Sequence, residues 1–274
     1  MCDDLPPVLY KYRAVDNPKN NDFFHEHTEP ILSRGEIYFA KVHQFNDPFE
    51  HFFSLQELSC TKAGVTEKAI ELLDLKEGND GLYHLSAEQN TINHILMAKI
   101  IENGVFCLNE SKDSIYMFSH YADGFKGICI GFDSEIFKNH SSLIKVNYKK
   151  RAYKINHGNV GKDWSSVFKS KHTTFAQEKE WRVYDSCGLL KDKTSAGLTR
   201  DMVHNSIKEI IFGFNISKRR VEQVIQTLGK INPKFYVAVP SIGEYKIDVI
   251  EYNNYEQDIA RYKKIYGYPD GNEQ

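Results

Sequence analysis

The sequence predicts a single α+β domain built on one mixed, mostly antiparallel sheet with a helical insertion. Three observations lead to this fold class. Strand-like runs rich in β-branched and aromatic residues recur along the chain, helical periodicity is concentrated at about 66–103, and no Pro/Gly/Ser-rich linker divides the strand-rich parts. With 41% hydrophobic and 13% aromatic residues among 274, the chain can bury the core of one large domain. We therefore expect one domain over residues 1–274.

The elements of the first half follow from strand, cap and turn signals. Residues 8–13 (VLYKYR) and 36–42 (EIYFAKV) are predicted as the first two strands, and the short helix between them stops at Gly35. The expected insertion consists of two helices, the first capped by Thr66, with a break at residues 78–81.

The second half contains the clearest single strand. Residues 127–133 (GICIGFD) form a near-continuous apolar run, which is typical of a central strand buried on both faces. A helix is predicted to begin after Ser217 and to stop at Gly229. Further strands are predicted where β-branched and aromatic residues are frequent, at 105–110, at 143–150, from about 180, and at 207–215, 234–241 and 245–252.

Charge and cysteine content limit the possible classes of function. Lys plus Arg number 35 against 37 Asp plus Glu, a net charge of −2, so any contact with nucleic acid must be local. The five cysteines are widely spaced without a C-x-x-C, which argues against a disulfide framework or a zinc knuckle. The first residues lack the pattern of a signal peptide, and no apolar run is long enough to span a membrane. We expect a cytoplasmic protein that does not contact a membrane.

Polar residues occur at four places where the hydrophobic pattern of the sequence would otherwise predict buried apolar side chains. At the first, the strand period of two places Lys11 and Arg13 on one face and Tyr10 and Tyr12 on the other. Two interpretations stay open here: a polar strand face in solvent, or a basic pair that faces a ligand.

The second cluster is the turn Asn46-Asp47-Pro48, which is walled by phenylalanines. Such a rigid turn can hold Asn46, Asp47 and Glu50 against a ligand. Asn and Asp side chains also bond to their own backbone in turns, and this structural role is favoured for Asp47.

The third cluster is Ser119-His120-Tyr121. Neighbours in sequence point apart on a strand and lie about 100° apart on a helix, so Ser119 and His120 are not expected to form a nucleophile and base. No G-x-S-x-G elbow surrounds the serine. His120 and Tyr121 are instead expected to stack or to hydrogen-bond in a pocket.

The fourth cluster places Glu178, Glu180 and Arg182 on one face of a predicted strand. Two carboxylates so close repel each other, so one pKa should rise unless a cation such as Arg182 lies near. An acid/base or ribose-binding device fits this pattern, and so does a surface ladder of ion pairs.

Two further segments carry weaker signals. His25 and His27, with Glu29, have the spacing of metal ligands, but they lie in a predicted loop without another obvious ligand, and we expect no metal. Residues 145–171 contain eight Lys or Arg against one acid, interleaved with aromatic residues. That segment fits either a solvated strand and loop or a groove for nucleic acid.

The four clusters, in this order, resemble a bacterial family described only as a domain of unknown function. Its pattern has LYKYR near the start, then FNDPFE, an SHYA segment leading into a G-x-C-x-GF strand, and a closing E-x-EWR. The resemblance runs from about Val8 to Asn215, and it implies a family without implying a function.

A more distant resemblance is to the ADP-ribosyltransferases, whose layout has a first strand ending in Arg or His and a late E-x-E on a strand. It implies that Arg13 binds NAD, that Glu180 holds the nicotinamide ribose, and that Glu178 assists the acceptor. The remaining residues expected to contact the cofactor are Tyr121, which is also assigned to catalysis, and Tyr12, Asn46, Ser119 and His120.

This second resemblance implies a transferase or NAD glycohydrolase that consumes NAD and acts as a bacterial toxin or antiviral-defence effector. Its partners would be that small-molecule nucleotide and a protein or nucleic-acid acceptor. A carboxylate beneath the ribose would stabilise the positive charge that develops as the glycosidic bond breaks.

Two other hypotheses stay open. One is a nucleic-acid-binding module or nuclease that uses residues 145–171, among them Lys149, Lys150 and Arg151. The other is a non-catalytic interaction domain, which predicts that Arg13, Asn46 and Glu180 scatter across the fold.

Overall fold

The computed structural model describes residues 4–17, 19–50, 53–55, 60–61, 67, 70–71, 75–85, 98, 100–138, 143–155, 165–186, 188–190, 193–194 and 197–268. The predicted α+β class is confirmed, because these residues form a large mixed, mostly antiparallel sheet of ten strands together with helices. None of the described helices is both long and apolar enough to cross a membrane.

The strands are distributed over the whole described chain. They lie at Val8–Arg13 (β1), Tyr38–Lys41 (β2), Phe53–Leu55 (β3), Cys60–Thr61 (β4), Leu75–Glu77 (β5), Leu82–Leu85 (β6), Asn103–Asn109 (β7), Ile128–Asp133 (β8), Leu143–Lys145 (β9), Asn147–Lys149 (β10), Tyr153–Ile155 (β11), Ser170–His172 (β12), Glu180–Ser186 (β13), Gly188–Leu189 (β14), Ile207–Gly213 (β15), Lys234–Pro240 (β16) and Ile247–Glu251 (β17).

The helices are short. The α-helices lie at Glu29–Arg34 (α1), Ile115–Tyr121 (α2), Glu135–Lys138 (α3), Ser165–Phe168 (α4), Arg200–Asn205 (α5), Lys218–Thr227 (α6) and Arg261–Tyr266 (α7). Short 3₁₀-helices lie at Val42–Gln44 and Thr173–Glu178, and π-helical turns lie at Phe24–Thr28 and Glu256–Ala260.

The main sheet runs in the order β14-β2-β7-β1-β8-β15-β16-β17, with β13 joined to β7 and β9 joined to β13. The predicted central strand is confirmed as β8, whose residues 128–132 are all buried between β1 and β15. Most neighbours are antiparallel, and β15 and β16 form a parallel pair. The apolar run of β8 therefore lies at the centre of the hydrophobic core.

Both predicted helix stops are confirmed. Gly35 ends α1 in the left-handed region at φ 63°, and a side chain there would lie 2.1 Å from the carbonyl oxygen of Arg200. Helix α6 begins after Ser217, whose hydroxyl accepts a hydrogen bond from the Arg220 amide, and Gly229 follows its end at φ 59°.

Two predicted elements differ from the structure. Residues 75–85 form a hairpin of β5 and β6, where a helix reaching Lys76 and a break were expected. The turn between them explains this, because the Gly78 amide donates to the Leu82 carbonyl and the Asp80 carboxylate accepts from the Leu82 amide. Thr66 and most of the remaining insertion lie outside the described residues.

The expected strand at 143–150 is two strands. Strand β9 pairs with β13 in the main sheet, whereas β10 pairs with β12 in a separate small sheet. The alternating pattern is continuous across both, so it gives no sign that the chain changes partner at Val146.

Strand β7 has two neighbours on one of its edges, and we call this arrangement the fork. Strand β13 covers the other edge from Asn103 to Asn109, so β1 and β2 must share the remaining one. Strand β1 meets β7 only where Tyr10 opposes Asn109, and β2 meets it at Val105 and Gly104. Between these points the Lys11 ammonium donates to the Cys107 carbonyl at 3.0 Å. The sheet is therefore open at the middle of β7.

Candidate functional site

A cavity of about 520 Å³ lies at the fork and is lined by residues of β1, β2 and β7. Six of the eight residues predicted to act in catalysis or cofactor binding line it: Tyr12, Arg13, Asn46, Tyr121, Glu178 and Glu180. They come from four separate parts of the chain, and the structure brings them to one place. The interaction-domain hypothesis predicts that these residues scatter across the fold, and they do not.

A buried cluster of charges forms one wall of this cavity. The Lys171 ammonium lies 2.6 Å from Glu178, 3.2 Å from Glu180 and 3.5 Å from Glu50. The side chains of all four residues are at most 5% exposed. We call these residues, together with Arg182, the charge cluster.

Arg182 is the second cation of the charge cluster. Its guanidinium donates to both carboxylate oxygens of Glu180, at 2.9 and 3.0 Å, and lies 2.8 Å from Glu50. A third bond goes to the Phe168 carbonyl at 2.8 Å. Three carboxylates thus share two cations, which leaves one excess negative charge when all are ionised. A positively charged group in the cavity would be attracted to this wall.

The two glutamates of the E-x-E differ in their titration. Burial alone would raise the pKa of Glu180, but the charges of Arg182 and Lys171 outweigh it and hold that pKa well below its usual range. Burial and the nearby Glu180 charge raise the pKa of Glu178 above the ordinary 4.5, although Lys171 opposes the shift. Glu180 is therefore a permanent anion near neutral pH, whereas Glu178 can exchange a proton more readily.

A left-handed residue lets both glutamates face the cavity. Glu178 ends a 3₁₀ turn, Lys179 adopts φ 44°, and Glu180 begins β13. The Asn109 side-chain amide donates to the Glu178 carbonyl, and the Glu180 amide donates to the Tyr148 hydroxyl at 2.8 Å. Both carboxylates lie on the same side, as expected. However, Glu178 belongs to the preceding 3₁₀-helix and not to the strand, so the backbone turn at Lys179 gives it this orientation.

Tyr121 lies beside Glu178. Its hydroxyl donates to a Glu178 carboxylate oxygen at 2.7 Å, and the Asn46 side chain also interacts with that hydroxyl. Burial and the Glu178 charge raise the pKa of Tyr121, so it stays a neutral donor. This proton donor is close enough to influence the basicity of Glu178.

Arg13 supplies a cation on a different part of the cavity wall. Tyr10 of β1 is in register with Asn109 of β7, and Asn109 is in register with Glu180 of β13. Arg13 lies three residues beyond Tyr10, which is roughly 10 Å further along β1. One terminal nitrogen donates to the His27 carbonyl at 2.5 Å, and the buried Nε has no partner among the described residues. Burial lowers the pKa of Arg13 to about 10, so it remains charged near neutral pH. An anionic group of a ligand would satisfy it.

The other residues expected to bind the cofactor are placed differently. Ser119 and His120 are exposed on α2 and do not line the cavity, because the helix turns them away from the face that carries Tyr121. The Tyr12 hydroxyl donates to the Ser111 carbonyl at 2.7 Å, and its ring packs against Phe118. Tyr12 therefore supports β1 from the side opposite Lys11, although it also contributes to the cavity lining.

In the turn at 46–48, Asp47 has the structural bond that was favoured for it. Its Oδ1 accepts from the Phe49 amide at 2.8 Å, and the residue is only 4% exposed. Glu50 is buried against Lys171 and Arg182. The turn thus positions Asn46 at the cavity and contributes Glu50 to the charge cluster.

His25 and His27, whose spacing resembles that of metal ligands, pair with nearby glutamates. His25 and His27 lie in a π-helical turn, where His25 contacts Glu29 and His27 lies 3.7 Å from Glu26. Within the described residues, no group of three or more His, Cys, Asp or Glu has the arrangement of metal ligands.

Cysteine chemistry is also disfavoured at this site. Cys107 lines the cavity, but burial raises the pKa of its thiol, and Cys129 is shifted in the same direction for the same reason. Neither supplies a thiolate near neutral pH.

Sequence reasoning did not single out Lys171 as the centre of the charge cluster. It is the second residue of a three-residue strand, β12, and its neighbours Ser170 and His172 face the other way. A lysine within a basic segment looks like a solvated residue. Only the register of β12 against β10, which places Lys171 opposite Tyr148, brings it to the glutamates.

A family model described as "Protein of unknown function (DUF2971)" matches residues 117–183. The matched segment runs from α2 into β13 and contains Tyr121, Lys171, Glu178 and Glu180. No curated protein and no solved structure matches the chain. The expected likeness to a domain of unknown function is thus supported over this segment, which is shorter than the span expected from the sequence.

Proposed function

We propose that this protein consumes NAD in the manner of an ADP-ribosyltransferase, breaking the bond between nicotinamide and ribose and passing the ADP-ribose to an acceptor or to water. The observation that carries the proposal is the meeting of Arg13, Tyr121, Glu178 and Glu180 in one cavity. The same four residues are the ones to which the ADP-ribosyltransferase resemblance assigns roles. Such convergence of residues remote in sequence supports a common ligand.

Glu180 is suited to stabilise the transition state. As the C1′–nitrogen bond breaks, its electron pair stays with nicotinamide, and positive charge develops on the ribose. A carboxylate held ionised by Arg182 and Lys171 interacts more strongly with that charge than with the neutral sugar of the ground state. The excess negative charge of the charge cluster also favours the cationic nicotinamide ring of NAD.

Glu178 is suited to accept the proton of the incoming nucleophile. Its pKa is raised towards neutral pH, and it lies within hydrogen-bond reach of Lys171 and Tyr121. A base works best when its pKa lies near the operating pH. In this proposal the acceptor loses its proton to Glu178 while it attacks C1′.

Arg13 and the apolar wall complete the proposed binding site. Arg13, about three residues along β1 from the row of Glu180, would bind the anionic diphosphate of NAD. Tyr121 and Phe45, which line the cavity, provide aromatic surface for nicotinamide. A role as a toxin or antiviral effector belongs to this proposal through the resemblance alone.

The test is release of nicotinamide from NAD by wild type and by Glu180→Gln. The variant keeps the side-chain volume and removes the negative charge, so we expect the rate to fall by about a hundredfold or more. Glu135→Gln, an exposed carboxylate outside the cavity, is the matched control and should keep the wild-type rate. Circular dichroism would show that both variants are folded. Equal rates for wild type and folded Glu180→Gln would refute the proposal.

A further inference from the structure

A second cavity, of about 310 Å³, adjoins the first. It is lined by Phe49, Lys149, Lys150, Arg151, Ala152, Ser170, Lys171 and His172. Lys171 lines both cavities and belongs to the charge cluster, so the second cavity lies next to that cluster.

The cations of this cavity are available for a ligand. Lys149, Lys150 and Arg151 are exposed, and none of them has an ion-pair partner among the described residues. Lys171 differs from them, since three carboxylates already neutralise it. Three consecutive cations on a chain of net charge −2 form a local basic patch, and such a patch attracts an anion at short range.

An exposed aromatic ring lies beside these cations. Phe49 lines the same cavity and is 60% exposed, so part of its ring faces solvent beside the cations. Proteins that bind single-stranded nucleic acid combine a cationic groove for the backbone with aromatic rings on which bases stack. A nucleic acid can use both features, whereas an anionic chain without rings, such as polyglutamate, can use only the cations.

We propose that the second cavity binds a single-stranded nucleic acid, with Lys149, Lys150 and Arg151 on its phosphates and Phe49 stacked on a base. The contacts to phosphate carry no base sequence, so binding is expected to tolerate many sequences.

This assignment also names the acceptor, in a step that rests on the proposed function. A strand in the second cavity lies next to Lys171 and hence near Glu178. A hydroxyl or amino group of the strand would attack C1′ of the nicotinamide ribose and lose its proton to Glu178, and nicotinamide would leave with the electron pair of the broken bond.

The binding test uses a short fluorescein-labelled single-stranded RNA and fluorescence anisotropy at several salt concentrations. The triple variant Lys149→Gln, Lys150→Gln, Arg151→Gln should weaken binding at least about tenfold. It should also reduce the slope of log K against log salt by about 2, because each phosphate contact to a single strand contributes roughly 0.7. Phe49→Ala should weaken binding about fivefold or more without changing this slope.

The matched control replaces Lys126, Lys208 and Lys246 by Gln, which changes the net charge equally at exposed sites outside the second cavity. It should bind RNA as wild type does. No RNA binding by wild type, an equal loss in the control, or equally tight binding of polyglutamate would each overturn the proposal.

Failure of this inference can be told from failure of the proposed function. Nicotinamide release without RNA binding leaves NAD consumption in place and removes the nucleic-acid site. RNA binding without nicotinamide release supports the nucleic-acid site and removes the transfer step. Radiolabelled ADP-ribose that appears on the RNA with wild type, but not with the triple variant, would support both.

Discussion

Glu178 and Glu180 are the same residue type, two positions apart, and their pKa values shift in opposite directions. The difference follows from their partners, because Arg182 donates to both oxygens of Glu180, whereas Lys171 is the one cation paired with Glu178 among the described residues. A fixed anion and a titratable base can therefore stand side by side in one cavity.

The raised pKa of Glu178 predicts how activity depends on pH. A base must be deprotonated to act, so the rate of ADP-ribose transfer should fall as pH drops through a pKa that lies above 4.5. In Glu178→Gln the transfer rate should be lower, and this acidic limb should disappear. Measuring transfer by wild type and variant from acidic to neutral pH checks the assignment. An unchanged acidic limb in the variant would assign it to another group.

At the scale of single residues, the sequence was informative where an unusual residue stood in a strand or turn. Arg13, Asn46 and the two glutamates were predicted in this way, and they line the cavity. Ser119 and His120 were predicted in the same cluster as Tyr121, but the helix directs them to solvent. Nothing local in the sequence distinguishes Lys171 from the other lysines of its segment.

Among the elements, the connection between the 3₁₀ turn at Thr173–Glu178 and β13 is the most constrained. Lys179 occupies the left-handed region, where residues other than glycine pay a conformational cost. It is one of three described non-glycine residues with positive φ, and the others belong to one turn at Asp123 and Phe125. The connection at Lys179, together with the Asn109 bond to the Glu178 carbonyl, places Glu178 next to Glu180.

Substitutions at Lys179 should separate backbone from side-chain effects. Lys179→Gly tolerates the left-handed conformation, so its free energy of unfolding should stay within about 1 kcal/mol of wild type. Lys179→Val is β-branched and should lose about 1–2 kcal/mol, with a matching loss of nicotinamide release as Glu178 shifts. Urea unfolding and the release assay measure both quantities. A valine variant as stable as wild type would show that this conformation is not strained.

An element was predicted correctly where the residues that define it lie within the element itself or at its ends. The apolar run of β8 and the Ser217 and Gly229 caps of α6 need no distant partner to be recognised. The hairpin at 75–85 was missed because a helical pattern runs into it, and the division of 143–150 depends on which strands its two halves meet. Pairing of this kind is a tertiary property.

At the scale of the whole molecule, the charge cluster joins segments that are distant in sequence through buried ion pairs. Glu50 comes from the turn after β2, Lys171 from β12 and Arg182 from β13, and all three side chains are at most 3% exposed. Removing one partner of such a buried set leaves opposite charges without compensation. The free energy of unfolding of the whole chain should report this loss.

Arg182→Met tests the contribution of the charge cluster to stability. Because Glu180 and Glu50 would stay buried next to an uncharged side chain, the variant should lose about 3–5 kcal/mol. Arg34→Met removes an exposed partner of Glu36 and should change stability by less than about 1 kcal/mol. Chemical denaturation of both variants gives the comparison. Equal stabilities would mean that the buried pairs contribute no more than surface pairs.

The fork also determines when the site can exist during synthesis. Strand β1 is synthesised before its full-length partner β8, which ends at Asp133, and before β13, which carries Glu180 and ends at Ser186. Contacts between segments so distant in sequence form late, after most of the chain is available. A nascent or truncated chain that lacks β13 has no Glu180 and no Arg182, and therefore no charge cluster. The cavity can therefore be assembled only after translation has passed Ser186.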